Sequence, residues 1–129
     1  MGRVVIKRGD IFRIRSEQNT EQTYLVIQND IGNRFCSSVI VVPLTQNLRS
    51  RRLFFSMLVE GNPLTGLEKD YVALFQHIRT LSKEHFSTEG KLGSLDAKSI
   101  ARMDDLIKLS IGLSTLQQLE DRYRSKKTS

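Results

Sequence analysis

An internal disulfide is excluded at once in this 129-residue chain, because it holds a single cysteine, Cys36. One cysteine agrees with a reducing compartment, and as a residue type it is expected to be small and partly buried. Tryptophan is absent and Phe and Tyr number six and three, so no broad aromatic platform for stacking bases is advertised. No apolar run approaches the roughly 20 residues that span a bilayer. The start, MGRVVIKRGD, is basic, but its apolar run is too short for a signal peptide. No membrane partner is expected, and the location expected is cytoplasmic. There are only two histidines, and no Cys/His cluster has metal-ligand spacing, so neither a metal site nor a cofactor is expected. The Walker loop and the GxGxxG, GxSxG and HExxH patterns are all missing, which removes the commonest nucleotide, serine-nucleophile and zinc chemistries. His77 and His85 fall on different expected elements and read as structural or solvated.

What is present is positive charge. The formal net charge is +6 and the sequence pI is about 9.8. That balance favours a polyanion or an acidic protein partner. It is also uneven: Lys7, Arg8, Arg13 and Arg15 lie near the start, Arg49, Arg51 and Arg52 form a cluster, and Arg122, Arg124, Lys126 and Lys127 load the tail.

Strand signals fill the first 80 residues. IFRI (Ile11 to Ile14) alternates apolar and basic. YLVI (Tyr24 to Ile27) and Val39 to Leu44 are near-continuous apolar runs, as central strands are. Pro43 cannot donate to a ladder, which predicts a bulge or strand end there. Leu48 to Arg52 reads as a basic loop and LFFSMLV (Leu53 to Val59) as a strand. GNPLTG (Gly61 to Gly66) is a turn, and YVALF followed by QHIRT is one bent strand or two joined ones. After Leu81 the character changes. Ser82 can cap a short helix, SKEHF, and KLGSL follows without an assigned element. Asp96 can cap a longer helix, since its carboxylate satisfies free N–H groups at the positive end of the dipole. Ile100, Met103, Leu106, Ile107 and Ile111 form its apolar stripe. Gly112 ends or interrupts it, and a second helical piece from Leu113 leads into the basic tail. Strands first and helices afterwards predict an α+β fold, a small antiparallel barrel with a helix packed across it. One domain is expected over 1–114, with a helical basic extension over 115–129.

Five blocks carry a resemblance: RGDIF (Arg8 to Phe12), LVIQNDIGNRF (Leu25 to Phe35), VIVVPLT (Val39 to Thr45), QHIRTLSK (Gln76 to Lys83) and LIKLSIGL (Leu106 to Leu113). In this order and spacing they resemble the MazF/PemK/Kid toxin family. The resemblance implies an SH3-like barrel with a C-terminal helix, forming a homodimer. It implies a metal-independent endoribonuclease acting on single-stranded RNA, and an antitoxin whose acidic tail covers the RNA groove. The family's threonine after V-x-P-x is present as Thr45. Its Arg-Pro at the start of the second strand is replaced by Thr23-Tyr24, behind a shortened loop. Glu17-Gln18 or Glu21-Gln22 echoes the family's Glu-Gln. Some members carry an acid just before the Q-x-R-T segment, where this chain has Phe75 or Gln76.

Three readings follow. Arg13 or Arg15, at the end of the first strand, replaces the missing guanidinium and acts in catalysis with Thr45. Alternatively the chain has kept RNA or antitoxin binding and lost most of its chemistry. A CcdB-like gyrase-directed toxin is the third. The RNA-binding residues expected are Arg34, Arg49, Arg51, Arg52, Gln76 and Arg79, the last being either a phosphate contact or an ion-pair partner. IQNDIGNRF is expected to be a shaped loop. In it Asn29, Asp30 and Asn33 bond locally, Ile31 and Phe35 pack inward, and Arg34 stays near the ligand or pairs with an acid.

Overall fold

The computed structural model describes residues 3–16 and 18–128. Seven strands make one antiparallel sheet: β1 (Asp10–Arg15), β2 (Glu21–Val26), β3 (Ser38–Thr45), β4 (Ser56–Val59), β5 (Tyr71–Leu74), β6 (Arg79–Ser82) and β7 (Lys91–Ser94). The strand order is β4-β5-β3-β2-β1-β7, with β6 also on β3. The sheet curls into a half-barrel, and helix α2 (Ala97–Ser110) packs on it. This is the α+β architecture expected of the sequence.

The near-continuous apolar runs have a simple cause: the central strands are buried on both faces. Alternate residues of a strand point to opposite sides. Ile11, Leu25, Val42 and Leu44 enter one core, which α2 closes with Met103. Phe12, Ile14, Tyr24, Val26, Val39 and Val41 enter a second core on the other face, with Phe86 and Ile6. Phe12 and Phe86 meet edge to face at 5.1 Å between centroids. Full burial of a side chain the size of Phe12 stabilises by roughly 1.5–3 kcal/mol. Met103 is fully buried, while Ile100, Leu106 and Ile107 are partly buried against the first core. Asp96 caps α2 as expected, its Oδ1 accepting from the Ser99 amide at 2.7 Å. Gly112, at φ +80°, ends the stretch. A last helix, α3 (Leu116–Thr128), is tied to α2 through Asp105, which accepts from Tyr123 Oη at 2.9 Å and pairs with Arg122 at 3.3 Å.

Several expectations are corrected. IQNDIGNRF is no loop: Asp30–Phe35 is a short helix, α1. Asn29 caps it, accepting from the Gly32 amide at 2.8 Å. Its inward residues are Gly32 and Asn33, whereas Ile31 and Phe35 are each 75% exposed. Asn33 Nδ2 donates to the Gln28 carbonyl at 2.9 Å, and Gln28 Nε2 donates to the Ser38 carbonyl. A polar lock therefore does the work assigned to apolar packing. Cys36, just beyond, is exposed rather than partly buried. Leu48–Arg52 is a 3-10 turn, and the strand expected from Leu53 begins only at Ser56, with Phe54 left 79% exposed. SKEHF shrinks to one 3-10 turn, Lys83–His85, with no side-chain bond from Ser82. KLGSL supplies β7, which pairs with β1. Gly66, at φ +69°, lets the GNPLTG turn lie against that strand, where an added Cβ would sit 1.8 Å from the Leu92 carbonyl oxygen.

Candidate active site

Pro43 neither bulges nor ends its strand; it marks a change of partner. Ser38 to Val41 pair with β6, whereas Leu44 and Thr45 pair with β5. Val42 and Pro43 fall between the two partners, where a residue without an N–H leaves no donor unsatisfied. The chain between β5 and β6 turns at this split, the His77 amide bonding the Leu74 carbonyl at 3.1 Å. The result is a groove of about 410 Å³ floored by Pro43 and Thr45, with Gln22 and Thr23 on one side and His77 and Arg79 on the other.

Thr45 is half-buried, and its Oγ1 accepts from the Asn47 amide at 3.2 Å. That bond fixes the oxygen and leaves the O–H to donate to a ligand. Arg79 stands opposite Val41 in the ladder. Alternation then places Arg79 on the face of β3 that carries Pro43 and Thr45. Its side chain is exposed and, among the described residues, makes no ion pair, so of the two roles expected for Arg79 the structure provides the free guanidinium. Tyr71 lines the groove with its hydroxyl accepting from Gln46 Nε2 at 2.9 Å.

Arg13 and Arg15 are not in the groove's wall. Arg13 lies directly across from Thr23 and reaches Glu21 at 4.0 Å; Arg15 holds Glu21 at 2.6 Å and also donates to Asn19. Glu21 lines the groove's edge. The hydrogen bond from Arg15 holds its carboxyl below the usual range, against a smaller opposing cost of desolvation. Arg13 thus stands across the strand from the position where the resemblance expects an arginine. Glu17 lies outside the described residues; Glu21 and Gln22 both line the groove.

The other expected contacts are scattered. Arg49, Arg51 and Arg52 sit exposed on the 3-10 turn that follows Thr45. Gln76 is exposed beside His77, with 3.4 Å between their terminal nitrogens. Arg34 is not at the groove and, among the described residues, pairs with no acid: its guanidinium lies 5.3 Å from the Phe35 ring centroid, beside a separate hollow of about 810 Å³ under the N-terminal segment. Sequence reasoning missed Tyr71 and His77 as groove residues. The only signal for His77 was its place in QHIRT, two residues before Arg79.

The fold that carries this groove is shared with known proteins. Residues 7–111 match the model of the PemK-like, MazF-like toxin of type II toxin-antitoxin system. The chain belongs to this toxin family. Among curated relatives, Endoribonuclease EndoA of Bacillus subtilis is 32% identical over 116 residues, covering 85% of this chain and 97% of that protein. Endoribonuclease MazF of Staphylococcus saprophyticus is 30% identical over 119 residues, covering 88% and 97%. Among solved structures, a mycobacterial endoribonuclease in complex with its cognate antitoxin superposes with a TM-score of 0.70 at 21% identity, over 85% of this chain and 98% of that one. A MazE-MazF structure from Deinococcus radiodurans gives 0.69 at 17%, over 86% and 99%. The five sequence blocks thus pointed to the right family, and the barrel with its C-terminal helix is the family's fold. No helix of the described residues is long and apolar enough to cross a membrane.

Proposed function

We propose that this MazF-like toxin is an endoribonuclease that cuts single-stranded RNA without a metal ion. The observation that carries the reading is the groove in which the Thr45 hydroxyl and the unpaired Arg79 guanidinium share one face. In metal-free cleavage the 2′-hydroxyl attacks the neighbouring phosphorus and the 5′-oxygen leaves. Donors must then stabilise the crowded phosphorane. Thr45 donates its O–H to a phosphoryl oxygen. Arg79 offers a planar fork that matches two such oxygens. Arg13, across from Thr23, supplies a second guanidinium once Glu21 releases it, and Arg15 keeps Glu21 occupied. Arg49, Arg51 and Arg52 hold the flanking backbone, with Gln76 and Arg34 touching RNA farther out.

The rest of the reading follows from the family and the surface. The active unit is a homodimer, supported by the exposed apolar side chains Phe35, Phe54 and Leu113. The inhibiting partner is an antitoxin with an acidic segment, matched to the charge of +6. The protein works in the cytoplasm. Residues 1–114 form the toxin domain and 115–129 an added helical extension, since the family match stops at residue 111.

Incubation with a long RNA in EDTA, followed by end analysis, tests the activity. Fragments ending in 2′,3′-cyclic phosphate are expected. Intact RNA with salt-sensitive retention would favour instead a binder that has lost its chemistry. The specific observation on that side is Thr23-Tyr24, which leaves Arg13 engaged by Glu21 rather than free. Trapped DNA breaks without RNA products would sink both in favour of a gyrase poison.

A further inference from the structure

We propose that His77 is the catalytic proton donor of this groove, delivering a proton to the departing 5′-oxygen. The inference rests on the endoribonuclease reading above and deepens it, since neither Thr45 nor an arginine can give up a proton near neutral pH.

The groove's own inventory singles His77 out. Its titratable and charged side chains are Glu21 from β2, Tyr71 from β5, His77 from the turn after β5 and Arg79 from β6; β3 brings the Thr45 hydroxyl beside Pro43 and Leu44. Arg79 stays charged. Glu21 is held as carboxylate by Arg15 at 2.6 Å, so it keeps no proton to give. Tyr71 is buried, and its oxygen already accepts from Gln46. Histidine is the side chain that ordinarily changes charge between pH 5 and 8. His77 is exposed on the groove wall, and among the described residues its one side-chain neighbour within hydrogen-bond distance is the Gln76 amide at 3.4 Å, so the ring is not committed to the core. Glu21 and Arg79 are the charged side chains that share the groove with it.

The step balances as follows. The 2′-oxygen bonds to phosphorus and its proton passes to water in the open groove. The bond from phosphorus to the 5′-oxygen breaks, and that oxygen takes the proton of the His77 imidazolium. The products are a 2′,3′-cyclic phosphate and a 5′-hydroxyl. Neutral imidazole then regains a proton from solvent.

A substrate whose leaving oxygen is replaced by sulfur separates this role from simple positioning, because a thiolate departs without protonation. The full-length protein, its His77→Ala variant and its His77→Gln variant are assayed in EDTA. The substrates are an RNA oligonucleotide spanning a mapped cut site and its 5′-bridging phosphorothiolate analogue. Loss of a general acid ordinarily costs about a hundredfold or more. Both variants are expected to lose about that much on ordinary RNA, to lose the alkaline limb of the rate profile, and to cut the sulfur analogue at close to the parent rate. Equal losses on both substrates would make His77 a positioning residue and overturn the proposal. So would unchanged rates on ordinary RNA. If the parent protein cuts neither substrate, the endoribonuclease reading itself fails. Matching thermal midpoints for all three proteins show that folding is not the cause.

Discussion

Val39 to Val42 and Thr45 belong to the same strand, and they are used in opposite ways. Along the first four the pairing passes from β6 to β2, Val41 holding partners on both sides, with one apolar core above and another below. Three residues later the partner on one side has changed, and the side chain of Thr45 is half-open to a polar groove. The first half of β3 is held by packing that no ligand can reach. The second half gives up a stretch of pairing and, in exchange, collects a hydroxyl, a free guanidinium and an imidazole at one place. If this division is real, substitutions in the first half should change stability and leave the chemistry of each folded molecule intact. Those in the second half should do the reverse.

The largest effect belongs to the core that Val39 and Val41 of the buried half share with Phe12. Phe12→Ala removes the ring that meets Phe86 beneath β1. A cost of about 3–5 kcal/mol is expected, as for other large-to-small core changes, read from denaturant unfolding. Cleavage per folded molecule should stay unchanged. A variant that keeps its stability but loses cleavage would break the division between the two halves.

Thr45→Ala is the mirror experiment. Removing one fixed donor to a developing oxyanion costs about 10²–10³ in turnover. The same change on a half-open strand end should move stability by no more than about 0.5 kcal/mol. Turnover and unfolding measured on the same preparation decide it. A large stability loss would mean that the Thr45 bond to Asn47 serves the fold rather than the reaction.

The basic turn after Thr45 sharpens the picture at its outer edge. Arg49, Arg51 and Arg52 are exposed and add nothing to either core. If they hold backbone phosphates, changing all three to Ala should flatten the dependence of RNA affinity on salt. For single strands each phosphate contact contributes about 0.7 to the log–log slope, so a drop of about 2 is expected. An unchanged slope would confine RNA to the groove and exclude the turn.

What the sequence could reveal follows the same boundary. The central strands announce themselves because burial on both faces leaves unbroken apolar runs, as at Tyr24 to Ile27. The Asp96 cap and the Met103 stripe are equally local signals. β7 is silent: Lys91 to Ser94 hold their place by backbone pairing to β1, and Gly93 is needed because the Leu64 carbonyl would lie 2.2 Å from a Cβ there. α1 misleads, because its apolar residues face out and its inward surface is a glycine and a hydrogen-bonded asparagine. Thr45 and Arg79 were found through the ordered family blocks rather than through periodicity. His77 was not found, since its position depends on where β3 exchanges β6 for β5, and no local pattern encodes that.

The smallest effect expected lies away from both halves of β3, at the start of α2. The Asp96 carboxyl is held below its ordinary value of 3.8, first by the bond from the Ser99 amide and then by its side-chain bond to Ser99. A carboxyl depressed in the folded state adds stability that is present above its unfolded value and lost as pH falls through its folded one. Asp96→Asn keeps an acceptor for the cap and removes the charge that suits the helix N-terminus. The parent protein should therefore melt slightly higher than the variant at neutral pH, and the gap should close as pH falls below about 4. Thermal midpoints from pH 7 to pH 2 measure it. The cleavage rate at neutral pH should be the same for both proteins, because α2 closes the core opposite the second one and contributes nothing to the groove. Parallel melting curves would show that the cap acts through its hydrogen bond alone. A change in rate would show that α2 reaches the groove, and the separation of scaffold from site would have to be redrawn.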